Sequence, residues 1–378
     1  MNSLDALTSA KLIVVKIGTA LVAEDGGERV KKDWLKALAQ DIAALQAQGK
    51  QIVIVSSGAV GLGRPALGIS AETRPKDIPL EMKQAASAVG QYHLFHGYHS
   101  ALSEQNIKTA QVLLTMSETE NRRMHLNARA TLLTLIERGI VPIINENDTI
   151  STEEIRFGDN DRLSVRVAQM VNADLVVLLS TIDGLYTGNP HKDSAAEHIA
   201  VIDEITEAHM DMAGDADPGL STGGMKSKLQ AASAAMRAGM SLIIADGRQN
   251  HALRDIAHNR SSLFTTGKSN ETNARKRWIG AHMKPSGALI VDEGAIEALK
   301  AGKSLLPVGV RSVEGHFKRG DAVEIKTLKG KVLGLGLCAF DHEDASRIIG
   351  KRSEEIADIL GYIGRKELVH RNDMALEG

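Results

Sequence analysis

Cysteine is nearly absent. Cys338 stands alone, so the 378-residue chain has no internal disulfide and no multi-cysteine zinc site. Its surroundings, "LGLGLCAF", read as a strand and make it a buried structural thiol rather than a nucleophile. Aromatic residues make up 3% of the chain, too few for a surface built to stack on single-stranded bases. A formal net charge of −2 supplies no electrostatic drive for non-specific nucleic-acid binding. No stretch approaches the roughly 18 apolar residues that a membrane span needs. The opening "MNSLDALTSAK" carries an acid and lacks the apolar run of a secretory signal. The expectation is a soluble, cytoplasmic chain with no membrane contact.

Several site signatures are missing as well. The 13 histidines form no H-E-x-x-H, which argues against a zinc hydrolase. His93, His96 and His99 fall at helical spacing without an acidic partner and read as a helix face. "DNDRLSVRVAQM" has neither the central glycine nor the distal glutamate of a calcium loop. A Walker A loop cannot be laid on "STGGMKSK", and at Gly302–Ser304 its required first glycine is Glu297.

What is present is strand–helix alternation. The runs "KLIVVKIG", "QIVIVSSGA", "IVPIINEND", "ADLVVLLST" and "SLIIADG" are nearly all apolar, as strands buried on both faces are. Between them lie helical patterns such as Asp33 to Gln48, ended by Gly49 as a C-cap. This predicts a doubly wound, mainly parallel sheet with ligands at the carboxyl ends of its strands. After about Gly267 the chain turns polar, then becomes a small β-rich unit with strand-like pieces "GALIVDEG", "SLLPVGV" and "GDAVEIKTLKGKVLGLGLCAF".

The unusual residues sit where ligands are expected. Lys16 ends a buried strand, where a lysine snorkels to water or meets an anion, and the sequence alone leaves both open. "SSGAVGLG" brings hydroxyls and glycines after a strand, a setting in which backbone N–H groups approach an anion. "STGGMKSK" opens a helix with a hydroxyl, paired glycines and two lysines, and reads as a phosphate cradle. "NENDT" (Asn145 to Thr149) and "GDNDRLS" (Gly158 to Ser164) add two clusters of carboxylates and amides.

In this order, "VVKIGT", "IVIVSSGA", "IVPIINENDT", "FGDNDRLS", "GLYTGNP" and "TGGMKSKLQAA" resemble the glutamate 5-kinases of the amino-acid kinase superfamily. The tail, with "VDEGA", "SLLPVGV" and "RGD", is similar to a PUA domain. The resemblance implies an αβα sandwich over residues 1–268, a linker at 269–284 and a PUA-like domain at 285–378. It implies transfer of the γ-phosphoryl of ATP, with Mg²⁺, to the side-chain carboxylate of L-glutamate in proline biosynthesis.

The resemblance also distributes roles. Lys16 and Lys228 would flank the transferred phosphoryl group, with Asp161 orienting both lysines. Asp148, Asn160, Ser57 and the backbone of Gly58 would hold glutamate, with Asn145 and Asp159 as lesser contacts. Lys16, Ser180, Thr181, Thr222, Gly223, Gly224, Met225, Lys226, Ser227 and Lys228 would hold ATP, with no protein metal ligand. Family members commonly carry Thr-Asp where this chain has Ser180–Thr181, with Asp183 two residues on, which puts the adenosine contacts in doubt. Proline as an inhibitor at the glutamate site, a homo-oligomer and coupling to glutamyl-phosphate reductase are further implications. From Lys284 onward, 15 Lys/Arg balance 15 Asp/Glu, without the basic excess of an RNA reader. Patches at Lys326, Lys329 and Lys331 remain compatible with phosphate contact. Alternatives are a kinase for acetylglutamate or aspartate, or an RNA-associated protein acting through the tail.

Overall fold

The computed structural model describes residues 1–27, 29–70, 72–150, 159–190, 193–212, 224–266, 285–362 and 364–376. The chain divides into two compact units, Met1–Glu271 and Thr272–Gly378. The expected linker at 269–284 lies outside the described residues.

The first unit is built on an eight-stranded sheet. Its strands are β1 (Leu12–Ile17), β2 (Gln51–Ser56), β3 (Thr109–Leu114), β4 (Val141–Glu146) and β5 (Leu175–Ser180). Two short strands, β6 (Leu185–Tyr186) and β7 (His198–Ile199), pair as a separate ribbon. β8 (Val201–Ile202), β9 (Ser241–Asp246) and β10 (Ser261–Phe264) complete the main sheet, in the order β3-β4-β2-β1-β5-β9-β10-β8. β3 through β9 in that order run parallel, whereas β10 is antiparallel to β9. That reversal at the edge had no signature in the sequence, because four apolar or small residues carry no direction.

The helices of this unit are α1 (Ser3–Ser9), α2 (Thr19–Val22), α3 (Lys32–Ala47), α4 (Ala59–Gly63), α5 (Leu80–Ser103), α6 (Met116–Glu120), α7 (Arg122–Glu137), α8 (Asp159–Val171), α9 (Glu207–Met212) and α10 (Met225–Arg237). α3 ends one residue before its predicted limit, and Gly49 takes the left-handed conformation (φ +79°) just past it, where a side chain would be strained.

Strand periodicity sorts the core into two layers. Ile13, Val15, Ile17, Leu175, Val177, Leu179 and Ile243 face one apolar cluster, shared with α3 and α5. Leu12, Val14, Val176, Leu178, Leu242 and Ile244 face the other, shared with α7, α8 and α10. This alternation has a chemical consequence. Lys16 follows the parity of Leu12 and Val14 and therefore faces α8 and α10. Ser56 and Asn145 follow Ile54 and Ile143 and face α5.

Two glycines bring α4 against α5. A Cβ on Gly63 would lie 1.8 Å from the Ala86 carbonyl oxygen, and one on Gly90 would lie 1.8 Å from that of Ala59. Only hydrogen fits at either crossing point. The loop that enters α4 is thus set by backbone-to-backbone contact.

The second unit has a five-stranded sheet of β11 (Gly287–Val291), β12 (Val310–Gly315), β13 (Ala322–Thr327), β14 (Val332–Leu337) and β15 (Met374–Leu376), in the order β12-β11-β13-β14-β15. Its own core includes Leu289, Val291, Phe317, Val323, Ile325 and Cys338. Burial pushes the Cys338 thiol up to about 12, so it stays protonated and unreactive at neutral pH. "SLLPVGV" does not form the expected strand. Leu305 makes only an isolated bridge to Val369, and Pro307 starts a 3₁₀ turn, Pro307–Gly309, because proline has no N–H for a ladder.

Candidate active site

β1 is the central strand of a switch point: β2 lies on one side and β5 on the other. Crossovers that diverge from neighbouring strands leave a crevice at their carboxyl ends. Lys16 lies one residue before the end of β1, in register with Val55 and Leu178. The first turns of α8 and α10 come to the same edge, bringing Asp161 and Lys228.

These three residues meet. Lys16 Nζ lies 2.6 Å from Asp161 Oδ1, and Lys228 Nζ donates to Asp161 Oδ2 at 3.1 Å. Ser227 Oγ also lies 3.1 Å from Oδ2. All three charged residues are buried, Asp161 completely. Burial by itself would raise the Asp161 pKa. The ammonium groups of Lys16 and Lys228 outweigh it and hold the carboxyl at about 2. Burial lowers the pKa of Lys228; Asp161 opposes this, while Lys16 adds to it. Two cations flank one anion here, an arrangement suited to receive an anionic ligand.

A second group lies beside it, on the β2 and β4 ends. Asn160 Nδ2 donates to Ser57 Oγ at 2.8 Å and to Asn145 Oδ1 at 3.2 Å. Asn145 Nδ2 in turn donates to Gln91 Oε1 at 2.7 Å. Ser87 Oγ donates to Asp148 Oδ2 at 2.7 Å, and both residues are buried. Gly58 has φ +118°, a left-handed geometry that turns the chain from β2 into α4 and demands glycine.

Ser180 ends β5, and its carbonyl accepts from the Gly247 N–H at 2.7 Å. Thr181 follows it at the same edge, and Asp183 accepts from the Tyr186 hydroxyl at 3.0 and 2.9 Å. Gly224 is the N-cap of α10, with Met225, Lys226, Ser227 and Lys228 in its first turn, so the amides and positive dipole end point outward from there. Thr222 and Gly223 lie outside the described residues, as does the Asp159 side chain. His93, His96 and His99 all lie on α5, where Tyr92 stacks on His96 and Phe95 on His99. Among the described residues no group of three or more His, Cys, Asp or Glu is arranged to hold a metal.

Comparison with known families agrees with this architecture. Residues 11–246 match the amino acid kinase family, a span that holds every site residue described above. The chain belongs to the amino acid kinase family. Residues 287–360 of this family member match the PUA domain. A glutamate 5-kinase of Paramagnetospirillum magneticum is 48% identical over 372 residues, covering 98% of this chain and 99% of that one. Those of Ruegeria sp. (49% identical, 98% and 100% covered) and Sinorhizobium fredii (50%, 98% and 93%) are similar.

Sequence reasoning passed over Ser87, Gln91 and Tyr98 on α5. Their spacing puts all three on one helix face, so polar residues recurring on a buried stripe were the available signal. In the second unit, Lys326 pairs with Glu324 at 2.7 Å and Arg311 with Asp292 at 2.9 Å, so two of its cations are offset by neighbours.

Proposed function

We propose that the chain transfers the γ-phosphoryl group of ATP to the side-chain carboxylate of L-glutamate, giving L-glutamyl 5-phosphate, the first step of proline biosynthesis in the cytoplasm. The observation that carries the phosphoryl-transfer reading is the buried Lys16–Asp161–Lys228 cluster. The choice of glutamate draws on the near full-length likeness to glutamate 5-kinases.

The chemistry suits these residue types. A glutamate side chain ordinarily titrates at about 4.3, so it is already a nucleophile at neutral pH and needs no base. One carboxylate oxygen bonds to the γ-phosphorus as the bond from phosphorus to the β–γ bridging oxygen breaks. ADP leaves, and no proton moves. The barrier lies in bringing two anions into line, so catalysis is positioning and charge stabilisation. Lys16 and Lys228 supply the positive charge. Asp161, held ionised at about 2, fixes their orientation and is no general base. The α10 N-terminus offers amides to the phosphates. Mg²⁺ would enter with ATP as part of the co-substrate, while both Asp161 oxygens are engaged by lysines.

Asp148 and Asn160 form the seat for the substrate's ammonium group, with Ser57 and the Gly58 backbone beside it. An acetylated amine brings no positive charge to Asp148, which disfavours acetylglutamate. Proline, which carries the same ammonium and carboxylate, competes at this seat. Hydroxylamine traps acyl phosphates, so the test is ATP- and Mg²⁺-dependent hydroxamate formation with glutamate, N-acetylglutamate and aspartate. Glutamate is expected to lead. Equal or better turnover of N-acetylglutamate would overturn the assignment.

A further inference from the structure

α5 presents a buried polar stripe to the site. Ser87 donates to Asp148, Gln91 accepts from Asn145, and the Tyr98 hydroxyl lies 2.8 Å from Ser56 Oγ. Each of the three is less than a tenth exposed, so none is on α5 for the sake of water. Each meets a different residue at or just beyond the carboxyl ends of β2 and β4.

Gln91 does something the other two cannot. The two ends of an amide have nearly the same shape, so hydrogen-bond partners alone select its orientation. Gln91 Oε1 accepts from Asn145 Nδ2 at 2.7 Å, so the N–H end of Asn145 faces α5. Asn145 Oδ1 is then left facing Asn160, and accepts from its Nδ2 at 3.2 Å. Ser57 Oγ takes the same Nδ2 at 2.8 Å, and the Ser56 carbonyl oxygen lies 3.5 Å from it. With its N–H end held by these partners, Asn160 turns Oδ1 the other way. That oxygen is buried and meets no hydrogen-bond donor among the described residues. A buried acceptor without a donor is costly unless a ligand supplies one.

We propose that Gln91 is a positioning residue for substrate recognition: through Asn145 it sets the orientation of Asn160, so that Asn160 Oδ1 accepts an N–H from the substrate's ammonium group. The inference rests on the reading of glutamate as substrate. Without an acceptor at residue 91, Asn145 is free to rotate its amide and present N–H to Asn160, which removes one of the acceptors holding Asn160 Nδ2 and loosens the aim of its Oδ1. Recognition weakens although Asn160 itself is intact.

The experiment compares wild type with Gln91→Met, close to glutamine in length and shape but with no oxygen, and Gln91→Glu, which keeps an acceptor. Hydroxamate formation by wild type is measured first; no product from glutamate would overturn the functional reading, not this one. Given an active wild type, Gln91→Met is expected to raise the glutamate KM about tenfold, the scale of one hydrogen bond to a charged group. Its kcat and ATP KM stay within about twofold, and Gln91→Glu recovers most of the loss. Glutarate, which lacks the ammonium, is expected to compete equally well with both enzymes. An unchanged glutamate KM in Gln91→Met overturns the proposal. So does a parallel fall in kcat, or a parallel weakening of glutarate. Should Gln91→Met not fold, Gln91→Leu removes the same acceptor with a different shape, and the same outcomes decide.

Discussion

Lys16 Nζ lies 2.6 Å from Asp161 Oδ1, joining the centre of the sheet to the first turn of a helix that packs on it. The other carboxylate oxygen takes Lys228 from α10. One buried anion therefore sets the separation of two cations before any substrate arrives. Preorganised charge of this kind stabilises a transition state without reorganisation at the moment of reaction.

Removing one of the cations tests that arrangement. Lys228→Ala is expected to lower kcat by roughly 10²- to 10³-fold, with a smaller change in glutamate KM. Steady-state kinetics with both substrates varied separates the two effects. An unchanged kcat would remove Lys228 from the chemistry.

The carboxylate makes a pH-dependent contribution to stability. The Asp161 pKa is depressed from its ordinary value to about 2, so the unfolded chain binds the proton more readily. The stabilisation is full above the unfolded pKa and is lost as pH falls through the folded one, which places the window between about pH 5 and pH 2. Urea unfolding of wild type and Asp161→Asn at pH 7, 4 and 3 is expected to show a stability difference that shifts toward the variant by roughly 1 kcal/mol between pH 7 and pH 3. A difference independent of pH would contradict the ionised assignment.

Asp148 is expected to act on one substrate only. Asp148→Asn keeps the shape and an acceptor for Ser87 but removes the charge, so glutamate KM rises roughly 10- to 100-fold while ATP KM holds. Parallel changes in both KM values would instead indicate a general loss of shape.

The glycine crossing of α4 and α5 is a steric prediction. Gly90→Ala places a methyl 1.8 Å from the Ala59 carbonyl oxygen, and backbone cannot yield there as a flexible side chain would. A loss of about 3 kcal/mol or more is expected, read from the denaturation midpoint. Wild-type stability in this variant would show that the helices can separate freely.

Proline offers an independent check on the proposed seat for the ammonium. Proline is expected to raise the apparent glutamate KM without lowering the extrapolated kcat, and Asp148→Asn to weaken both ligands together. Proline inhibition that glutamate cannot overcome would separate the two sites.

Much of this was legible because it is local. All-apolar runs identify β1, β2, β4, β5 and β9, and glycine after a periodic segment marks the end of α3, since both follow from the geometry of a few consecutive residues. Lys16, Asp161 and Lys228 were nameable from their motifs. Strand parity even shows that Lys16 and Asn145 face opposite layers. The strand expected at "SLLPVGV" failed for an equally local reason, since Pro307 breaks the ladder.

Local pattern alone marked five strands of the main sheet, the end of α3 and the carboxyl edge on which the polar motifs fall. The three-dimensional fold was needed to show that α5 reaches under Asn145, Asp148 and Ser56 with Gln91, Ser87 and Tyr98. Hydrogen bonds act over about 3 Å, whereas these partners lie far apart along the chain, and periodicity carries no information on which distant elements meet. The orientation of an amide such as Asn160 is less local still. It is settled by a relay of neighbours, each of which the fold has first to bring together.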